Sequence, residues 1–159
     1  MSENYIIING KRAELTEEQL KQLGIEVPKA NPFERTRCED YYFIDDEGEI
    51  CSSNECLFGV DDVRFEVANY CTDKAIMEQR ALHETLNRLL WRYSMEHDGD
   101  NIEYLDGVYE IKRAGDEIIA IYTANTMLWR IPFNSRETAE NAIKEIVEPF
   151  MAEHPEFKW

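Results

Sequence analysis

Few residues in this chain of 159 could do chemistry, and their spacing argues against most reactions. The histidines are His83, His97 and His154. His83 and Glu84 are neighbours on a helical pattern, so they point about 100° apart and form no dyad. His97-Asp98 resembles a metal-binding pair, but no second His and Asp stand at suitable spacing, and a histidine near a helix end accounts for it. Cys71 and His83 would lie about 18 Å apart on one helix, too far for a thiolate–imidazole pair. Cys38, Cys51, Cys56 and Cys71 include no CxxC, so free thiols are favoured over a four-thiolate zinc site. Asp45-Asp46-Glu47 would hold a cation only weakly and reads as a solvated turn. No dinucleotide fingerprint, phosphate loop, zincin helix, nucleophile elbow or calcium loop occurs. The chain therefore reads as a non-enzyme, with no cofactor and no metal.

Two constellations suit binding instead. Arg80, Glu84, Arg88 and Arg92 share the polar side of the longest helical pattern, where arginines serve well as interface anchors. Asp45, Asp46, Glu47, Asp61 and Asp62 could stand in for phosphates toward a basic protein. A separate set, Trp91, Tyr93, Tyr104, Tyr109 and Tyr122, could stack on a base, with Arg88, Arg92, Lys112, Arg113 and Arg130 for phosphate.

The helix that carries the first set falls within Cys71 to Asp100. Thr72 suits the N-cap, with Asp73 at the positive end. Ala75, Leu82, Leu86, Leu89 and Tyr93 repeat as one helical face, widened by Ile76, Leu90 and Trp91. Gly99 suits the stop. Such a helix has some 25 residues and spans about 37 Å.

Upstream, Tyr5–Ile8 and Arg12–Leu15 form a hairpin pattern around Asn9-Gly10. Thr16 and Gln19 make a capping box for a short helix, Glu17 to Leu23, and a linker with Pro28 and Pro32 follows. Tyr41–Ile44 and Glu49–Cys51 pair around a turn at Gly48, and Arg64–Val67 alternates as a strand does. Downstream, Val108–Lys112, Glu117–Tyr122 and Met127–Ile131 read as strands. Ser135 then caps a helix, Arg136 to Met151, that Pro149 disturbs in its last turn. Phe157 and Trp159 are expected to fold back onto the core.

Residues 40–97 and 107–152 thus echo each other as two βββα units. The expectation is one α+β domain over 1–159, in which antiparallel sheets pack against a long central helix and a C-terminal helix, with residues 1–30 as an N-terminal hairpin and short helix.

The formal net charge is −16. Each third of the chain carries −5 or −6, so the acidity is not a tail. A basic footprint for direct nucleic-acid binding is lacking, whereas solubility and mimicry of a phosphate backbone are both compatible. No apolar run reaches the 20 or so residues of a membrane span, and MSENYIIING does not read as a signal peptide, so a cytoplasmic protein is expected.

Several stretches carry a resemblance: YIIINGKRAELTEEQLKQLGI, NPFER, YYFIDDEGEI, NYCTDKAIMEQRALHETLNRLLWRYSMEHDGD and IVEPFMAEHPEFKW. They resemble a group of small acidic proteins carried by phages and prophages of Gram-positive bacteria. The resemblance implies a phage accessory role in the host cytoplasm, with no residue roles carried over. A non-enzymatic inhibitor of a host defence protein of the anti-CRISPR kind follows, its target a nucleic-acid-guided nuclease. A nucleotide-signal sponge of the anti-CBASS or anti-Thoeris type, and a DNA-metabolism or structural accessory, are the alternatives. Self-association into a homodimer stays open.

Overall fold

A computed structural model describes residues 5–8, 11–24, 31–98, 107–124 and 131–159. The chain divides into two units, Met1–Glu34 and Arg35–Trp159. The expected strand Met127–Ile131, the turn Asn9-Gly10, the linker over Pro28 and the stop at Gly99 fall wholly or mostly outside the described residues.

In the first unit, β1 (Tyr5–Ile8) pairs antiparallel with β2 (Lys11–Glu14). The capping box forms as its residues dictate. Thr16 N donates to Gln19 Oε1 at 2.9 Å and Gln19 N to Thr16 Oγ1 at 3.3 Å, opening α1 (Glu17–Gln22). Gly24 follows at φ +70°, the left-handed conformation that ends helices.

The second unit is α+β, built of two antiparallel hairpins and helices. β3 (Asp40–Ile44) pairs with β4 (Ile50–Asn54). Their turn is held by the Asp45 carboxylate, which accepts from Glu47 N at 3.0 Å and Glu49 N at 2.9 Å. Gly48 takes φ +92° there.

The expected strand at Arg64–Val67 is instead part of a helix, α2 (Gly59–Glu66). Four alternating residues satisfy a period of two, but Asp61, three residues into the helix, gives the backbone a stronger alternative. Its carboxylate accepts from Phe58 N at 3.1 Å and Cys56 N at 3.2 Å, and so caps a helix start. The edge that a third strand would have covered is met by fewer residues. Asn69 imitates a peptide group, its side chain accepting from Ile44 N at 2.9 Å and donating to Ile44 O at 2.7 Å. Cys71 adds a single bridge to Tyr42.

α3 runs Lys74–Asp98, the 25 residues expected. Its N-cap is Asp73 rather than Thr72: Asp73 Oδ1 accepts from Ala75 N at 2.9 Å and Ile76 N at 3.4 Å. The buried stripe is also rotated from the expected one. Met77, Ala81, Leu86, Leu90, Tyr93 and Ser94 are inside, while Ala75 and Trp91 are exposed. Ser94 is admitted to the core because its hydroxyl donates to Pro132 O at 2.6 Å.

β5 (Val108–Ala114) and β6 (Glu117–Thr123) form the second hairpin. Phe133 bridges Tyr109 as Cys71 bridges Tyr42. Two residues past each bridge comes a helix cap, Asp73 in one case and Ser135 in the other; Ser135 Oγ accepts from Thr138 N at 3.0 Å. Six residues past each bridge comes a core position, Met77 and Ala139. α4 (Arg136–Ala142) passes through a π-helical segment, Ile143–Val147, into α5 (Glu148–Glu153). Pro149 has no N–H to give the preceding turn, and the wider π turn lies just before it. Phe157 is buried and meets Phe150 edge-to-face at 5.4 Å, so the C-terminal residues do fold back. They join Leu86, Leu90, Tyr93, Phe133 and Val147 in the larger core, with Trp159 packed beside them.

Candidate functional site

α2 is amphipathic the wrong way round. Asp61 and Arg64, three residues apart and therefore neighbours on one face, point into the protein. Tyr41 Oη donates to Asp61 Oδ1 at 2.7 Å, and Arg64 Nη1 donates to Tyr41 Oη at 2.9 Å. The Arg64 guanidinium lies 3.4 Å over the Phe43 ring. The hydrogen bond from Tyr41, ahead of the backbone donors, holds the Asp61 carboxyl below its ordinary range. A second pair braces the same end: Arg35 grips the buried Glu55 through Nε at 2.9 Å and Nη2 at 3.0 Å, and reaches Asp62 at 2.6 Å.

The apolar residues of α2, and Val67 just after it, are left outside. Val60, Val63 and Val67, spaced three and four apart, are 53%, 57% and 62% exposed. Leu57 and Phe58, 67% exposed at the latter, extend the row, and Glu66 is exposed beside it. Scattered apolar residues on a surface need no explanation, but with Phe65 there are six exposed within eleven positions, a run of the kind that marks interaction sites.

The nine residues singled out from the sequence do not make one face. Asp61 is buried and internally bonded, so it cannot stand in for a phosphate. Asp62 is tied to Arg35, and Asp45 to its own turn, where the Glu49 N–H above all keeps its carboxyl below the usual range. Arg80 pairs with Glu84 at 2.7 Å and donates to Ala68 O, so both serve the α2–α3 connection. Arg88 donates to Glu84 O at 3.3 Å and sits against the Gly48 turn, where a Cβ would come within 3.3 Å of its Nη2. Arg92, Asp46 and Glu47 are exposed. Arg88 and the acidic turn thus adjoin, whereas Asp61 and Asp62 belong to α2.

The expected base-stacking set does not converge either. Tyr93 is buried and stacked on His97 at 3.9 Å, Trp91 is exposed, and Tyr109 meets Tyr122 edge-to-face at 5.7 Å. Tyr104 and Arg130 lie outside the described residues.

Two clefts were not foreseen from the sequence. One, of about 620 Å³, lies between the Gly48 turn, α3 and the C-terminal residues, and its lining includes Ile50 and Leu82 together with Glu47, Glu49, Glu78 and Glu156. The other, of about 280 Å³, lies between α3, β5 and the C-terminal residues. All four cysteines are free, and no cluster of metal-ligating side chains occurs among the described residues. No helix there is long and apolar enough to cross a membrane.

No protein-family model, curated protein or solved structure matches this chain.

Proposed function

We propose that this protein works by docking on another protein, as a stoichiometric, non-enzymatic inhibitor borne by a phage and acting in the bacterial cytoplasm. Its target is a nucleic-acid-guided nuclease of host defence. The observation that carries the docking reading is α2, whose Asp61 and Arg64 bond inward to Tyr41 while Val60 and Val63 face water. The partner's chemistry follows from charge. A chain of net −16 approaches a basic surface readily and an acidic one poorly, so the row of Leu57 to Val67 is matched to an apolar recess beside a basic groove. Guided nucleases hold their nucleic acid in such a groove, and the phage-type resemblance of the sequence agrees with that target.

The test is a pull-down from a defended host, followed by a cleavage assay on the recovered nuclease. Wild type is expected to recover a guided nuclease and to stop cleavage near one-to-one stoichiometry. The double variant Val60→Asp/Val63→Asp keeps its melting temperature and loses inhibition by roughly tenfold or more, as hot-spot residues do. Recovery of no nuclease, undiminished cleavage, or a double variant that inhibits like wild type overturns the reading.

A further inference from the structure

Cys38 and Cys56 are both exposed, and the backbone brings them together where β3 and β4 part. Beyond the last register pair, Asp40 with Asn54, Glu55 N donates to Glu39 O at 2.9 Å and Cys38 N donates to Glu55 O at 3.0 Å. Two residues, Cys38 and Glu39, thus face the single residue Glu55, which makes a bulge. Cys38 takes φ +57° there, at the position where such a bulge favours glycine. A side chain kept in that conformation is a pointer to function.

Cys56 follows Glu55 directly, so the bonded Cys38 N lies one peptide unit away from it. Bond lengths summed along that path put the two α-carbons about 7 Å apart at full stretch, and the bends at each atom shorten it. Disulfides span about 4.4–6.8 Å between α-carbons. No cluster of three or more metal-ligating side chains occurs among the described residues, so the two thiols stand as a pair.

The other cysteines are placed differently. Cys51 lies on β4 opposite Phe43, whereas Cys71 bridges Tyr42 from the other edge of β3. Two strand spacings, about 10 Å, separate them, and one disulfide cannot cover that. Burial raises the pKa of both thiols, and at Cys51 the Asp45 carboxylate adds to it, so their thiolates are scarce. The thiolate is the form that reacts.

We propose that Cys38 and Cys56 form a reversible dithiol–disulfide pair, oxidised by small disulfides of the glutathione class. One protein thiolate attacks the small disulfide, giving a mixed disulfide and releasing one glutathione thiolate. The second protein thiolate then attacks the protein sulfur of that bond, closing Cys38–Cys56 and releasing the second glutathione. Two electrons and the two thiol protons pass to the two glutathiones. The closed bond turns the β3–β4 hairpin into a covalent loop. It also ties down Cys56, whose N–H already bonds Asp61 at the start of α2. In a reducing compartment the pair rests as thiols and answers a rise in oxidised glutathione. The site does not depend on the docking reading.

Intact-mass spectrometry of the fully reduced full chain, treated with oxidised glutathione at neutral pH, tests the proposal. Wild type is expected to lose two hydrogens and to retain no glutathione. Cleavage after glutamates then yields Arg35–Glu39 joined to Cys56–Glu66, and dithiothreitol restores the starting mass. Cys38→Ser and Cys56→Ser, at exposed positions that tolerate the change, each stop at a mixed disulfide carrying one glutathione. Oxidised wild type melts several degrees above reduced wild type, because the closed loop constrains its unfolded chain. The treated serine variants show no such rise. A wild type that keeps glutathione on each cysteine, or stays unmodified, overturns the proposal. So does a bond made by Cys51 or Cys71, a bond between two chains, or a loss of two hydrogens that survives in either serine variant.

Discussion

Glu55 is almost fully buried, and its carboxylate is held by two N–H donors of Arg35 and by Leu57 N at 2.8 Å. The bond to Arg35 leads in drawing its carboxyl below the ordinary value of 4.5, as the Tyr41 hydroxyl does for Asp61 below 3.8. A group whose folded pKa is depressed stabilises the fold above its unfolded pKa and loses that contribution as pH falls through the folded value. The melting temperature is therefore expected to hold steady from neutral pH down to about 5 and to drop below about 4.5. Glu55→Gln flattens that drop while lowering the plateau, as scanning calorimetry across the acid range would reveal. Met77 supplies the apolar counterpart. It is fully buried, and Met77→Ala should cost about 2–5 kcal/mol in urea unfolding, whereas Trp91→Ala on the exposed side of α3 should stay within about 0.5 kcal/mol. Both residues are apolar and both sit in the same helical pattern. What separates them is which side of α3 meets Ile44 and Cys71, and no residue-level rule carries that information.

At the scale of elements, the caps are where local chemistry was strong enough to read directly. The capping box of α1 and the Ser135 cap of α4 follow from side chains that bond their own next turn. At α3 the sequence points to Thr72, whereas Asp73, the second residue past the Tyr42–Cys71 bridge, makes the cap. Asp73→Ala should cost about 0.5–2 kcal/mol and Ser135→Ala about the same, measured by denaturant melts. α2 shows the opposite case. Its spacing Val60, Val63, Val67 is helical in the sequence, yet an apolar row is ordinarily read as the buried side. The Tyr41 hydroxyl and the Phe43 ring reverse the helix by giving Asp61 and Arg64 partners inside.

For the whole molecule, 33 acidic side chains against 17 basic ones oppose a closely packed state through mutual repulsion, which salt screens. Raising sodium chloride from about 0.01 M to 1 M is expected to raise the melting temperature by about 2–4 °C, the shift that roughly 1 kcal/mol produces at this size. The same salt should weaken the proposed nuclease complex, because its long-range attraction is electrostatic while its apolar contact is not. A melting temperature that falls with salt would show instead that the ion pairs of Arg35, Arg80 and Arg136 outweigh the repulsion.

The α+β class, the hairpins, the 25-residue helix and the folding back of Phe157 and Trp159 were all written in the sequence, because each rests on periodicity, turn chemistry, a cap or the cost of solvated aromatics. The clefts, the inward carboxylates and the outward valines were not. They join Asp61 to Tyr41 across 20 residues of chain and bring β5 beside α3, and only tertiary packing decides which face of an element such distant partners will meet.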